Sequence, residues 1–324
     1  MNADIQSLLA QAGINEPDPV LEPFASGGNN HVYRVYAGGQ VLALKKYKMA
    51  DLDKRDRLGA EWEFLRSVRN TMLPVPKPLA MDREQGLALY TFIEGRKLSV
   101  EEVSVDHVQQ AGSFIKRLND FKVRKLGMKL GNASEAQFSA QGHFEMLQSR
   151  LEKVKSFLID KSFYKTLEDA ILIWRVKTES QFKDLGIGVH DDLPTADRCL
   201  SPSDFGFHNA LEKDGKLTFI DFEYAGWDDP AKLASDFFFQ PDVPVDEKYY
   251  DGFVDSVLSY VPDNLKEVHK RRIEILRPAF GLKWCCIILN PFDPNWKTGI
   301  YGDLDQLRAT RFNAAQKLLE RLKI

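Results

Sequence analysis

The sequence Ser-Asp-Phe-Gly-Phe-His-Asn at residues 203–209 is followed along the chain by Ile-Asp-Phe-Glu at residues 220–223. The residues between these two motifs form two short strand-like segments, joined by Asp214 and Gly215. Asp-Gly favours a two-residue type I′ turn, because both of its residues tolerate a positive φ angle. The sequence therefore predicts a β-hairpin that brings the polar residues of both motifs to one end.

The pairing register of this hairpin decides which side chains meet. If Lys213 pairs with Lys216 across the turn, Asn209 lies opposite Ile220. The amide of Asn209 and the carboxylate of Asp221 then lie close together at the open end of the hairpin. Oxygen ligands of this kind suit Mg²⁺, with water and phosphate oxygens completing an octahedron. The pattern predicts a magnesium site.

A resemblance to a known family rests on these same residues. Asp204, four intervening residues and Asn209, followed by a hydrophobic strand that ends in Asp221, have the spacing of a kinase catalytic loop and its metal-binding aspartate. With Tyr-Ala-Gly at residues 224–226 and Asp-Pro at 229–230, these segments resemble the aminoglycoside phosphotransferase and choline kinase family. That family phosphorylates hydroxyl groups of small molecules with ATP.

The resemblance implies an α+β fold of the protein-kinase type with two lobes. Residues 1–93 are expected to form a small N-lobe with an antiparallel sheet that binds the nucleotide. Residues 94–324 are expected to form a larger, mainly helical C-lobe with the catalytic loop and the acceptor site. ATP and Mg²⁺ are the implied cofactors, with Asp204 as the catalytic residue and Asn209 and Asp221 as metal ligands.

Upstream features fit a nucleotide site. Gly27, Gly28 and Asn30 lie between two strand-like segments, where glycines let backbone N–H groups approach phosphate oxygens. The pattern G-x4-G-K-[ST] of P-loop proteins is absent from the sequence. Residues Thr91, Phe92 and Ile93 fall where the family edges the adenine ring, although an ordinary strand end would look the same.

A lysine and a glutamate are expected to pair beside the phosphates. Strand alternation places Val41, Ala43 and Lys45 on one face and Lys46 on the other, but the sequence does not show which face borders the cleft. The resemblance of Ala-Leu-Lys to the family favours Lys45 over Lys46 as the phosphate-binding lysine. Glu61 occupies the place of the lysine-pairing glutamate on the following helix, with Glu63 as the rival. Either glutamate could instead be one of several solvated charges on that helix.

The chain departs from the family pattern at two positions. Pro202 and Ser203 stand where the family usually has His-Gly, and His208 stands where it often has glycine. The first departure motivates an alternative to an active enzyme, namely a pseudokinase that serves as a nucleotide-binding regulatory or interaction module.

The acceptor is expected to be a small molecule with a hydroxyl group, such as an amino alcohol, an aminoglycoside or a sugar-like compound. Acidic residues are frequent from 191 to 236, where Glu223 and Asp229 follow the metal ligand closely. Trp227 and Trp284 are candidate aromatic contacts for a cationic group. These charges could also be solvated and the tryptophans could belong to the core.

Composition sets the remaining expectations for this chain of 324 residues. A net charge of −3 argues against a nucleic-acid-binding protein, and no apolar run approaches the roughly 18 residues of a membrane span. A cytoplasmic protein is therefore expected, with Cys285 and Cys286 as buried thiols. Ser99 and Glu102 form a capping-box pattern that predicts a helix from there to about Phe121.

Overall fold

The chain divides into two compact units. The computed structural model describes residues 2–26, 30–48, 55–158, 160–296 and 303–324. Unit 1 comprises residues 1–134 and 200–227, and unit 2 comprises residues 135–199 and 228–324. Packing thus groups residues 94–134 and the hairpin region with the N-terminal sheet, and the lobe boundary between residues 93 and 94 stays a prediction.

Unit 1 contains a five-stranded antiparallel sheet in the order β1-β2-β3-β5-β4. Its strands are β1 (Val20–Ser26), β2 (Asn30–Ala37), β3 (Gln40–Tyr47), β4 (Pro78–Asp82) and β5 (Leu87–Thr91). Strand β3 is central, with buried Leu42 and Leu44 on one face and Lys45 on the other. The alternation read from the sequence therefore gives the correct faces.

The leucine face of β3 packs against the first helix, α1 (Asn2–Gln11). Ile5, Leu8 and Leu9 recur at the three-to-four-residue spacing of one helix face and are fully buried. This packing leaves the opposite face of the sheet, which carries Lys45, available for a site.

Three helices complete the N-terminal segment of unit 1: α2 (Arg57–Val68), α3 (Val105–Leu118) and α4 (Phe121–Leu126). The helix predicted from Ser99 is wrong at its start. The capping box at Ser99 does form, but it opens only a 3₁₀ turn that ends at Val103 in extended backbone. Ser104 then caps α3 by accepting a hydrogen bond from the backbone N–H of His107.

The predicted hairpin is present as β7 (Ala210–Lys213) and β8 (Lys216–Phe219). Lys213 pairs with Lys216 as expected, and the backbone N–H of Ile220 donates to the carbonyl of Asn209 at 2.9 Å. Asp214 has φ of 52° and Gly215 has φ of 74°, as a type I′ turn requires. The short strands β6 (Cys199–Ser201) and β9 (Gly226–Asp228) pair with each other.

Unit 2 is helical, in agreement with the apolar periodicity of its sequence. Its helices are α5 (Ala140–Phe157), α6 (Lys161–Asp184), α7 (Pro230–Phe239), α8 (Tyr250–Val257), α9 (Asp263–Ile288) and α10 (Leu304–Leu322). Cys285 and Cys286 are buried free thiols in α9, and burial raises the pKa of both. None of the helices in the described part of the chain combines the length and apolarity that a bilayer-spanning helix needs.

A buried ion pair joins α7 and α9 within unit 2. The guanidinium of Arg272 donates to both carboxylate oxygens of Asp229 at 2.8 and 2.7 Å, and Asp229 is fully buried. Burial alone would raise the pKa of Asp229, but Arg272 and His143 lower it below its ordinary value. The ionised carboxylate thus contributes stability above its unfolded-state pKa, and that contribution is lost as the pH falls through the folded-state pKa.

Arg272→Met should lower the free energy of unfolding by about 3–5 kcal/mol at neutral pH, because it leaves the Asp229 carboxylate buried without its partner. The loss should shrink as the pH falls and Asp229 takes up a proton. Arg271→Met removes an exposed arginine one residue away and should cost less than about 1 kcal/mol. Urea denaturation at neutral and acidic pH measures both variants, and equal losses for the two would contradict the assignment.

Candidate active site

Lys45 lies at the centre of the polar cluster of unit 1. Its ammonium Nζ is 2.6 Å from a carboxylate oxygen of Glu61 and 2.6 Å from Oδ1 of Asp221, and 4.0 Å from Glu223. The side chain of Lys45 is 9 % exposed, so the ammonium is largely removed from water. Lys46 is exposed on the opposite face of β3. Lys45, and not Lys46, therefore contacts the acidic side chains of this cluster.

Glu61 is held on both of its carboxylate oxygens. Oε2 accepts hydrogen bonds from Lys45 and from the hydroxyl of Tyr47, each at 2.6 Å, and Oε1 accepts the backbone N–H of Phe222 at 3.3 Å. Glu63, in contrast, is exposed and lies 3.8 Å from Arg66 one helical turn later. The glutamate that pairs with the lysine is therefore Glu61.

Burial and charge compete for the protonation states in this cluster. Burial alone would lower the pKa of Lys45, but the negative charges of Glu61, Asp221 and Glu223 overcome it and raise the pKa above its usual range. Burial raises the pKa of Glu61, while Lys45 acts in the opposite direction. Lys45 therefore stays cationic at neutral pH beside three acidic groups.

The cluster forms one wall of a cavity of about 380 Å³ within unit 1. Nine residues predicted from the sequence line it: Asn30, Lys45, Glu61, Thr91, Phe92, Ile93, Asn209, Asp221 and Glu223. Gly27 and Gly28 lie outside the described residues. Apolar side chains supply much of the remaining lining, from Phe24, Val32, Ala43, Leu211 and Ile220. A charged end and an apolar slot thus share one cavity.

The residues missed from the sequence are mostly these apolar ones. Val32 pairs with Lys45 in the register of β2 and β3, and Ala43 shares the face of Lys45. Alternation placed Ala43 on the face of Lys45 in the sequence, but Ala43 was not predicted as a site residue. Leu211 and Ile220 line the cavity because the hairpin packs beside the sheet. Sequence periodicity does not show how the hairpin and the sheet are placed relative to each other. Tyr47, which donates to Glu61, has no sequence signal beyond its position in the strand.

Asn30 and Glu223 connect the beginning of β2 to the segment after Asp221. The amide Nδ2 of Asn30 donates to Oε2 of Glu223 at 2.5 Å, and both residues are buried. The amide Oδ1 of Asn30 is buried without a hydrogen-bond partner among the described residues. This contact gives Glu223 a role in positioning the strand that follows the glycine pair.

Asp221 and Asn209 supply oxygen atoms to the cavity that suit a hard cation. Oδ1 of Asp221 faces Lys45, and the side chain is 37 % exposed, which leaves room at the second oxygen. Asn209 donates its Nδ2 to the backbone carbonyl and to Oδ2 of Asp204, so the Oδ1 atom of Asn209 points away from Asp204. No group of three or more His, Cys, Asp or Glu side chains within the described ranges is placed to hold a metal. The residues fit Mg²⁺, which usually takes one or two protein ligands together with phosphate and water oxygens.

Asp204 is held at the foot of the hairpin by its neighbours. Oδ1 lies 3.1 Å from Nε2 of His208, and Asn209 donates Nδ2 to the backbone carbonyl at 3.0 Å and to Oδ2 at 3.3 Å. The side chain of Asp204 remains 42 % exposed, so the carboxylate is both oriented and accessible. His208 thus contacts Asp204, a contact that its position in the sequence did not reveal.

The departure at residues 202–203 has a local structural solution. Ser203 adopts φ of 69°, which is costly for a residue with a Cβ atom, and the N–H of Asp204 donates to the carbonyl of Pro202 at 3.0 Å. The hydroxyl of Ser203 donates to the carbonyl of Ser134 at 3.1 Å, and the backbone N–H of Ser203 donates to the hydroxyl of Ser201. Hydrogen bonds therefore hold a conformation that glycine adopts freely.

Three predicted acceptor residues lie outside the cavity lining. Trp227 donates its indole N–H to the carbonyl of Gly127 at 3.0 Å, and Trp284 donates to Asp236 at 2.9 Å. Asp229 is fully buried, and both of its carboxylate oxygens accept hydrogen bonds from Arg272. These contacts favour structural roles for the three side chains, and their role in acceptor binding stays a prediction.

Comparison with known proteins agrees with this geometry. The model of the phosphotransferase enzyme family (APH) matches residues 20–253. No curated protein matches the chain. The chain therefore belongs to the phosphotransferase enzyme family and is a kinase-type phosphotransferase with the protein-kinase-like fold.

Solved structures share the fold at low sequence identity. A choline kinase from Cryptosporidium parvum Iowa II is 15 % identical with a TM-score of 0.63, over 99 % of this chain and 96 % of that one. A putative aminoglycoside phosphotransferase from Ralstonia eutropha is 12 % identical with a TM-score of 0.66, over 100 % and 98 %. The ADP-bound aminoglycoside phosphotransferase APH(2'')-Ib is 18 % identical with a TM-score of 0.56, over 99 % and 97 %.

Glycine at position 203 should be tolerated better than alanine. Ser203→Ala and Ser203→Gly both lose the hydrogen bond to Ser134, but only glycine relieves the positive φ angle. Ser203→Gly should therefore be more stable than Ser203→Ala by about 1 kcal/mol in urea denaturation.

The same pair of substitutions at Ser113, an exposed position inside α3, is the matched control. There the order should reverse by roughly 1 kcal/mol, because glycine disfavours a helix interior. The same order at both positions would contradict the backbone conformation assigned to Ser203.

Proposed function

We propose that this protein transfers the terminal phosphoryl group of ATP to a hydroxyl group of a small molecule. The observation that carries the proposal is the contact of Lys45 with both Glu61 and Asp221 on the wall of a half-apolar cavity. A cation held by two carboxylates is ready to face phosphate oxygens, and the apolar slot beside it suits a flat base.

Each end of the nucleotide has a defined place in this proposal. The adenine ring would lie among Val32, Ala43, Leu211 and Ile220, with the backbone of residues 91–93 at its edge. The phosphates would extend toward Lys45. Asp221 and Asn209 would hold Mg²⁺, which neutralises charge on the phosphate oxygens.

The chemistry needs a carboxylate that accepts one proton. The acceptor oxygen forms a bond to the γ-phosphorus, the bond from that phosphorus to the bridging oxygen breaks, and ADP leaves. Asp204 orients the attacking hydroxyl and takes its proton. Contacts with His208 and Asn209 keep the carboxylate in place, so that little reorganisation is needed.

Glu223 and its neighbours are the residues that we expect to select the acceptor molecule. Glu223 lines the nucleotide cavity and also a second cavity of about 350 Å³ in unit 1, whose lining includes Glu63, Asn132 and Tyr224. The carboxylates of Glu63 and Glu223 suit an acceptor that carries an amine, such as an amino alcohol or an aminoglycoside. The same cavity is also lined by Arg55, whose guanidinium lies 5.1 Å from the centroid of the Tyr224 ring, and by Lys129. The relatives named above as a choline kinase and aminoglycoside phosphotransferases support this class of acceptor.

An inactive pseudokinase module is the less supported alternative. It was motivated by the missing His-Gly before Asp204. Ser203 nevertheless adopts the turn by its own hydrogen bonds, and Lys45, Glu61, Asp204, Asn209 and Asp221 are all present.

The two aspartates should separate by role. Asp204→Asn should leave Mg·ATP affinity nearly intact while turnover falls by roughly 10² or more, as loss of a positioned base usually does. Asp221→Asn should weaken Mg·ATP binding and turnover together. Asp214→Asn, at an exposed turn of the same hairpin, is the control and should change neither.

Calorimetry with Mg·ATP measures the affinities, and ADP release with a panel of amino alcohols, aminoglycosides and sugars identifies the acceptor and measures turnover. If both active-site variants lost ATP affinity equally, Asp204 would be a metal ligand or a structural residue. If no alcohol stimulated ADP release, the proposed reaction would be wrong.

A further inference from the structure

A cationic surface lies on residues 116–129, of which only Lys129 also lines the second cavity of unit 1. The segment contains six Lys or Arg residues and one acidic residue, Asp120, in a chain whose net charge is −3. Asp120 is occupied as the cap of α4, where it accepts the backbone N–H of Lys122. We call the exposed residues of this segment the 116–129 surface.

This surface is distinguished by its density of positive charge, since four exposed lysines lie within 14 residues that contain one acidic residue. Lys116, Lys122, Lys125 and Lys129 are exposed, and none has a carboxylate within 4.0 Å in the described part of the chain. Some other exposed lysines, such as Lys165, lie beside acidic groups, whereas Lys155 and Lys177 also have no carboxylate within 4.0 Å among the described residues. The positive charge of the 116–129 surface is therefore not neutralised locally.

Large apolar side chains project from the same segment. Phe121 is 79 % exposed, Met128 is 72 % exposed and Leu126 is 54 % exposed. Phe121, Lys122, Lys125 and Leu126 occupy one side of α4, because residues 121 and 125, and residues 122 and 126, are four positions apart in the helix. Cationic and apolar groups are thus interleaved on one exposed face.

Met72 extends the apolar area. Its side chain is 89 % exposed, and its backbone carbonyl accepts a hydrogen bond from Arg117. Exposed single apolar residues are ordinary, but a cluster of them among unpaired lysines is typical of interaction surfaces.

We propose that the 116–129 surface binds the surface of an anionic lipid membrane. The lysines would contact lipid phosphates while Phe121, Leu126 and Met128 enter the interface between headgroups and acyl chains. This proposal stands independently of the proposed reaction.

The chemistry of the surface disfavours other occupants. A nucleic acid offers phosphates to the lysines but leaves the apolar side chains without partners, and the net charge of the chain opposes it. A second copy that met this face across a two-fold axis would bring the same unpaired lysines together, which is repulsive.

The surface is also connected to the catalytic loop inside unit 1. Asn119, at the end of α3, donates its amide to the carbonyl of Leu200 at 2.9 Å and accepts the N–H of the same residue at 2.8 Å. Leu200 lies in β6, directly before the turn that presents Asp204. Membrane contact would therefore act on the same unit that carries the catalytic carboxylate.

Co-sedimentation with lipid vesicles tests the proposal on the full chain. The protein should bind phosphatidylcholine vesicles that contain phosphatidylglycerol, bind vesicles of phosphatidylcholine alone much less, and dissociate as salt is added. Lys122→Glu with Lys125→Glu should lower the partition coefficient by at least about tenfold, since it reverses two charges that face the lipid. Phe121→Ser with Met128→Ser should also lower it, and the remaining binding should keep its salt dependence.

Lys155→Glu with Lys177→Glu makes the same change of charge at exposed positions of unit 2 and should leave vesicle binding nearly unchanged. Thermal unfolding of each variant shows that the fold is retained, because all four substituted lysines are exposed. The proposal is overturned if the wild-type chain does not bind the anionic vesicles, or if the control pair lowers binding as much as Lys122→Glu with Lys125→Glu. Self-association in sedimentation velocity that Phe121→Ser with Met128→Ser abolishes would instead assign the surface to a second copy.

Discussion

The buried ammonium of Lys45 is the charge on which the arrangement of the site depends. It lies among carboxylates from α2 and from the segment after β8, so one cation joins the sheet, a helix and the hairpin. Removing one partner of a buried ion pair leaves an uncompensated charge and costs about 3–5 kcal/mol, so these elements are expected to hold one arrangement. Because the lysine already lies beside Asp221, the charged end of the cavity, where we propose that phosphates bind, exists before any ligand arrives.

Backbone strain occurs on both sides of the hairpin formed by β7 and β8. Ser203 and Asp221 both have positive φ angles, of 69° and 66°, and each is next to or part of the proposed chemistry. Such conformations persist only where the surroundings impose them. An aromatic cluster of Phe114, Phe205 and Phe219 packs beneath the loop, with ring centroids 4.5–5.6 Å apart. Apolar packing and hydrogen bonds thus hold the carboxylates where unconstrained loops would not.

Much of the site could be predicted from local sequence, because its signals are local. Asp-Gly fixed the turn and therefore the register that places Asn209 beside Ile220, and strand alternation separated Lys45 from Lys46. The start of α3 could not be predicted, because Ser99 and Ser104 are both good caps and only the extended backbone at Val103 distinguishes them. The burial of Asp229 depends on Arg272, which is distant in sequence, and no local pattern reports such a pair.

The most direct measurement is the crystal structure of the protein with Mn²⁺ and a non-hydrolysable ATP analogue, with the metal located by anomalous scattering. The account predicts one or more manganese peaks bound by an oxygen of Asp221 and by Oδ1 of Asn209, with Lys45 in contact with phosphate oxygens and the base among Val32, Ala43 and Leu211. Nucleotide bound elsewhere, or manganese held without Asp221, would contradict it.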